Sequence, residues 1–140
     1  MDRIKTRSPE ETIEVGITLG RSLKKGDIVG LIGELGAGKT TFVKGIAQGI
    51  NISNPDEVVS PSFTICNVYE GKFRLYHIDF YRIDHLDPET EMQIRDILDD
   101  DGIAVVEWAE KFPSVMGEKY IEVRIWITGE NEREIEIRRE

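Results

Sequence analysis

Eight consecutive residues, Gly33-Glu34-Leu35-Gly36-Ala37-Gly38-Lys39-Thr40, satisfy the pattern G-x-x-x-x-G-K-[ST] in full. Each residue type has a physical task in binding polyphosphate. The glycines let the backbone turn tightly and point successive N–H groups inward as an anion nest. A helix starting near Gly38 would add the positive end of its dipole. Lys39 would reach the β- and γ-phosphates, and the Thr40 hydroxyl is placed to ligate Mg²⁺. Lys39 is expected to face solvent on this nest and to pack against little. Such a loop needs an acidic residue on a neighbouring strand to hold the metal, directly or through water. Two apolar runs end in a carboxylate: Ile103-Ala104-Val105-Val106-Glu107, and Ile78-Asp79 within His77-Ile78-Asp79-Phe80-Tyr81-Arg82. Glu107 closes the more apolar run and is the first choice for the metal, with Asp79 the second candidate.

The flanking pattern supplies what such a loop requires. Asp27 to Ile32 is a short apolar run typical of a strand buried on both faces, and Phe42, Val43, Ile46 and Ile50 recur at helical spacing after the loop. Upstream, Ser8-Pro9-Glu10-Glu11 starts a helix with a capping serine, a proline at the first position and a capping-box glutamate. That helix is expected to run to Lys25, with Gly26 as its stop, although Gly16 and Gly20 inside it weaken it. Thr64–Tyr69 and Phe73–Asp79 read as a hairpin, Pro88–Leu98 as a helix, and Ile103–Val106 as a second buried strand. In the last stretch Ile121, Val123, Ile125 and Ile127 share one face and Ile135 and Ile137 return, with Gly129–Glu132 as the turn. Buried βα elements mixed with hairpins give an α/β fold: one domain over residues 1–140, with a mixed, mostly parallel central sheet, flanking helices and antiparallel hairpins.

Composition narrows the function classes. The 140 residues carry 27 acidic and 18 basic side chains, a formal net charge of −9. That disfavours a broad nucleic-acid surface, because non-specific affinity for phosphate backbones comes from Lys and Arg. Cys66 is the only cysteine, so neither an internal disulfide nor a cysteine zinc site is available. No apolar run approaches a membrane span, and a cytoplasmic location is expected. An N-K-x-D guanine element and an L-S-G-G-Q-like signature are both absent. The only candidate lid, Ile83 to Gly102, holds a single arginine, Arg95, which disfavours a small-molecule kinase. An ATPase or a nucleotide-dependent switch acting through another protein remains. His77 reads as a structural histidine, Cys66 as a small buried residue, and Trp126 as a polar-face residue alongside Glu122 and Arg124.

Four blocks taken together resemble the TsaE (YjeE) family: Gly33–Thr41, Ser60-Pro61-Ser62-Phe63-Thr64, His77–Arg82, and Val106-Glu107-Trp108. These are small bacterial P-loop ATPases required for making threonylcarbamoyladenosine in tRNA, and the resemblance covers nearly the whole chain. It implies a P-loop NTPase domain with ATP held by Glu34, Leu35, Gly36, Ala37, Gly38, Lys39, Thr40 and Thr41. It implies Mg²⁺ on Thr40 and Glu107, with Asp79 in the metal shell or positioning water, so that Lys39, Asp79 and Glu107 form the catalytic set. Ser60 to Thr64 would be a switch segment sensing the γ-phosphate. The family usually has threonine where this chain has Ser62, which keeps the hydroxyl and loses the β-branched stiffness. Arg133 stands where the family places a nucleotide contact. The implied partners are TsaB and TsaD, the second of which transfers threonylcarbamoyl to the tRNA adenosine. ATP turnover by this chain would reset that complex, with tRNA contacted mainly through the partners and no membrane involved.

Overall fold

A computed structural model describes residues 2–34, 36–61 and 65–139. In chain order the elements are β1 (Asp2–Thr6), α1 (Pro9–Ser22), β2 (Ile28–Ile32), α2 (Lys39–Gly49), β3 (Cys66–Tyr69) and β4 (Leu75–Asp79). There follow α3 (Pro88–Leu98), β5 (Ile103–Glu107), α4 (Pro113–Met116), β6 (Ile121–Ile127) and β7 (Arg133–Arg138). The strands form one sheet in the order β1-β7-β6-β2-β5-β4-β3. Its centre, β6-β2-β5-β4, is parallel, while β7 and β3 run the other way and β1 is antiparallel to β7. The mixed α/β architecture expected from the sequence is the one observed.

Helices cover both faces, which is why the central strands read as unbroken apolar runs. Every residue of β5 is buried. On one face Val29, Leu31, Val105 and Val123 pack with Leu19 of α1 and Phe42, Val43 and Ile46 of α2. On the other, Ile78, Ala104 and Val106 pack with Ile94 and Leu98 of α3 and with Val115 and Met116 of α4.

The two glycines that weaken α1 as an isolated helix have a tertiary reason. A Cβ on Gly16 would lie 2.5 Å from the Phe42 carbonyl oxygen, and one on Gly20 would lie 2.6 Å from that of Ile46. Gly45 and Gly49 on α2 face them with equally short approaches to Ile13 and Ile17. Backbone therefore packs on backbone where α1 crosses α2, and the propensity cost of the glycines is offset by that close approach.

Two expectations need correction, and one strand stands where the sequence pattern marks none. The first helix ends at Ser22, not Lys25: Leu23 is extended and buried, and the Asp27 carboxylate takes the Lys24 N–H at 2.8 Å. This closes a turn in which Gly26 sits at φ +83°. The polar N-terminus contains a strand, β1, pairing Asp2 through Thr6 with Ile137 through Arg133. Ile127 leaves the apolar face and is 40% exposed, where it pairs with Arg133 beside the turn that closes the hairpin.

Candidate functional site

The P-loop leaves the C-terminal end of β2, between β5 and β6, where the sheet's connections diverge to either side. Ligands of open α/β sheets bind at such a switch point. Gly36 and Gly38 sit at φ +81° and +97°, a region that only glycine enters freely, and α2 begins at the next residue, Lys39. The loop is braced from behind. Arg133 donates through Nε to the Ala37 carbonyl and through Nη2 to the Gly36 carbonyl, both at 3.1 Å. Its Nη1 donates to the carbonyls of Glu132 at 2.8 Å and Gly129 at 3.1 Å. In a planar trans peptide the N–H points opposite to the C=O. Drawing the Ala37 carbonyl toward Arg133 therefore turns the Gly38 N–H away from it.

Register brings the carboxylates to the same place. Glu107 lies opposite Leu31 of β2 on one side and Asp79 of β4 on the other. Its Oε2 is 3.3 Å from Thr40 Oγ1, 3.2 Å from Ser60 Oγ and 2.5 Å from His77 Nε2, and the two hydroxyl oxygens are 2.6 Å apart. Asp79 accepts the Tyr81 N–H at 2.9 Å. Burial pushes the Asp79 carboxyl above its usual range and the nearby Glu107 adds to this, against the Tyr81 hydrogen bond and the charge of Lys39.

Lys39 does not face solvent. It is 5% exposed, its Nζ donates to the Gly33 carbonyl, and that nitrogen lies 3.7 Å from the centroid of the Trp108 ring. Burial drives its ammonium below the usual lysine range, opposed first by Glu107 and then by Glu110, Asp79 and Glu34. Trp108 itself has φ +60°, uncommon for a residue with a Cβ, and its ring is 5.2 Å from that of Tyr81.

These groups line a cleft of about 860 Å³ that includes Gly36 to Thr41, Ser60, Pro61, Asp79, Tyr81, Arg82, Glu107 and Trp108. The sequence expectations for Gly36, Ala37, Gly38, Lys39, Thr40, Thr41, Asp79 and Glu107 thus converge on one cavity. Glu34 is exposed and lines a neighbouring hollow of about 430 Å³ with Trp108, Arg124 and Trp126. Leu35, Ser62 and Thr64 lie outside the described residues. Two participants carry no task in the sequence pattern: His77, which reads there as structural, and Lys111, which donates to the Tyr81 and Ile83 carbonyls at 3.0 and 2.6 Å and pins the segment after β4. No sequence signal marks Lys111. His77 could have been found from its parity with Asp79 on a strand that neighbours Glu107. Cys66 is half-buried and its thiol is pushed up to about 11 by burial, as a packing residue would be.

Among the described residues no three His, Cys, Asp or Glu side chains converge to hold a metal by themselves. The oxygens at hand, Thr40 Oγ1, Ser60 Oγ and the Glu107 carboxylate, are hard donors. They suit Mg²⁺, which takes one or two carboxylates and completes its shell with water and substrate phosphate. No helix among the described residues is long and apolar enough to cross a membrane.

Strand, glycine loop and helix on a parallel sheet, with a carboxylate closing the next strand, define a P-loop NTPase fold. More narrowly, the chain belongs to the TsaE family: the family model "Threonylcarbamoyl adenosine biosynthesis protein TsaE" matches residues 6–135. It is similar to the tRNA threonylcarbamoyladenosine biosynthesis protein TsaE of Treponema pallidum, 36% identical over 96% of this chain and 98% of that one. The protein of the same name from Bacillus subtilis is 37% identical over 94% of this chain and 81% of its own length. Among solved structures, the crystal structure of Bacillus subtilis YdiB superposes with a TM-score of 0.76 at 33% identity, covering 96% of this chain and 82% of that one.

Proposed function

We propose that this chain is a single-domain, Mg²⁺-dependent ATPase of the cytoplasm, required for threonylcarbamoyladenosine modification of tRNA. Its turnover would reset or regulate the TsaB–TsaD transferase complex, and tRNA would be met mainly through those partners. The observation that carries the reading is the convergence of Lys39, the Thr40 hydroxyl and the Glu107 carboxylate in one cleft beneath a braced glycine loop.

Hydrolysis adds water across the terminal phosphoanhydride, giving ADP and inorganic phosphate. Backbone N–H groups of the loop and Lys39 would carry the polyphosphate charge, and Lys39 would leave the Gly33 carbonyl to do so. Thr40 and Glu107 would hold Mg²⁺, which neutralises charge on the β- and γ-phosphates. Asp79, whose half-buried carboxyl already favours a proton more than usual, is suited to orient the attacking water and accept its proton. Arg133 supports this site by fixing the loop from outside, and Ser62 and Thr64 are assigned to the γ-phosphate switch by the family resemblance. The acidic surface fits a protein that leaves tRNA to its partners.

The test is multi-turnover tRNA threonylcarbamoylation by TsaB and TsaD with and without this chain, with ATP hydrolysis followed in parallel. Sustained turnover only in its presence, lost with Lys39→Met, is the expected result. Equal turnover without it refutes the reading. Calorimetry then separates the carboxylates: Glu107→Ala should weaken binding of the Mg²⁺ complex of an ATP analogue, whereas Asp79→Ala should slow hydrolysis more than it weakens binding.

A further inference from the structure

The site described above leaves one buried polar group without a task. His77 lies in the middle of β4, has no solvent exposure, and places Nε2 2.5 Å from Oε2 of Glu107. Its other ring nitrogen, Nδ1, is the only buried side-chain nitrogen or oxygen among the described residues without a hydrogen-bond partner. In a neutral imidazole one nitrogen donates and the other accepts. A proton on Nε2 satisfies the carboxylate and leaves a bare lone pair at Nδ1. A proton on Nδ1 would orphan a buried N–H and set a nitrogen lone pair against a carboxylate oxygen, which is the costlier arrangement. The geometry selects the Nε2–H form.

Counting protons around Oε2 shows why that donor matters. Thr40 and Ser60 carry one hydroxyl proton each, and the 2.6 Å bond between their oxygens uses one of the two. A single hydroxyl proton is left for Oε2, although both oxygens approach it. That proton is also free to rotate elsewhere once Thr40 turns its oxygen toward a cation. The ring N–H has no such alternative, since its strand and its burial fix it.

We propose that His77 is a positioning residue whose Nε2–H holds the Glu107 carboxylate at the end of β5, aimed at Thr40, however the two hydroxyls rearrange. The inference rests on the reading of Glu107 as a magnesium-shell carboxylate.

Two substitutions separate the hydrogen bond from the packing. His77→Gln keeps an N–H within reach of the same oxygen, and His77→Leu fills the space without one. Calorimetry with a non-hydrolysable ATP analogue, run in Mg²⁺ and again in EDTA, gives the enhancement of affinity by Mg²⁺. His77→Leu should lower affinity about tenfold in Mg²⁺, a 1.4 kcal/mol step, and leave affinity in EDTA unchanged, while His77→Gln recovers most of the loss. Equal losses in both buffers, or no recovery with glutamine, overturn the proposal. Should the leucine variant not fold, ¹⁵N imidazole spectra of the unmutated protein decide the same point. Nε2 protonated and hydrogen-bonded, before and after addition of Mg²⁺ with the analogue, is expected. A proton on Nδ1, or loss of the Nε2–H bond on addition, refutes it. Glu107→Gln tests the reading beneath: if the Mg²⁺ enhancement survives there, the metal assignment of Glu107 fails, whereas the imidazole spectrum still reports whether His77 holds that side chain.

Discussion

Gly45→Ala tests how tightly the nucleotide loop depends on the crossing of α1 and α2. An added Cβ would sit 2.3 Å from the Ile13 carbonyl oxygen, 2.9 Å from Gly16 Cα and 3.1 Å from Gly16 C. All three are backbone atoms, so no side-chain rotation relieves the clash. Non-bonded heavy atoms settle at about 3.5 Å, so the helices must part by roughly 1 Å. Overpacking of this kind costs up to about 3 kcal/mol, and the helix regains about 1 kcal/mol from replacing glycine by alanine. The net loss is about 2 kcal/mol, a fall in Tm of roughly 6–8 °C for a chain of this length. Because α2 starts at Lys39, the displacement reaches the P-loop, and affinity for an ATP analogue should fall as well. Differential scanning fluorimetry and calorimetry measure the two effects, with the exposed Gln48→Ala on the same helix as control. A Gly45→Ala protein as stable as the parent would refute the backbone-on-backbone account.

Lys39→Met should keep or raise the apo Tm while abolishing nucleotide binding, since the desolvated ammonium is replaced by an apolar chain of similar length; a melt and a titration check the pair. Asp79→Asn should stabilise the apo protein at neutral pH. A carboxyl whose folded-state pKa is raised binds protons more readily folded than unfolded, so the parent loses stability as pH rises from the ordinary carboxylate value through the raised one. Urea melts should show the two proteins converging below that window and separated above it, and a gap that widens toward acid pH would reverse the sign. Arg133→Ala should weaken nucleotide binding and lower the Tm, and Arg133→Lys should not restore either, because an ammonium cannot bridge the Gly36 and Ala37 carbonyls as the guanidinium does. Equal rescue by lysine would mean that only the charge matters.

The sequence made legible those features whose signals are local. Apolar runs, the glycine-lysine-threonine loop and the carboxylates closing two strands are each read from a few consecutive residues, and each landed in its element. The capping serine was legible too, with Ser8 Oγ accepting the Glu11 N–H at 3.1 Å. What stayed hidden was pairwise and distant. Gly16 and Gly20 look like helix faults until Gly45 and Gly49 are set against them. β1 has too few apolar residues to read as a strand, because its edge position asks for an inner face only, and Arg3 pairs outward with Glu134 and Glu136 of β7. Lys39 appears exposed in any reading that stops at the loop, since Trp108 lies far along the chain. The bond between His77 and Glu107 requires knowing that β4 and β5 are neighbours in parallel register.

The brace on the nucleotide loop also orders events during synthesis. Gly36 and Ala37 are made early, but the guanidinium that fixes their carbonyls belongs to β7, nearly a hundred residues later. The first strand likewise waits for that same strand as its sole neighbour. Contacts separated this widely form slowly, because the intervening chain must first be closed into a loop. On a translating ribosome the glycine loop therefore emerges long before it can be shaped. The shape of that loop is complete only once residues 133–138 have emerged and the Arg133 guanidinium has reached the Gly36 and Ala37 carbonyls.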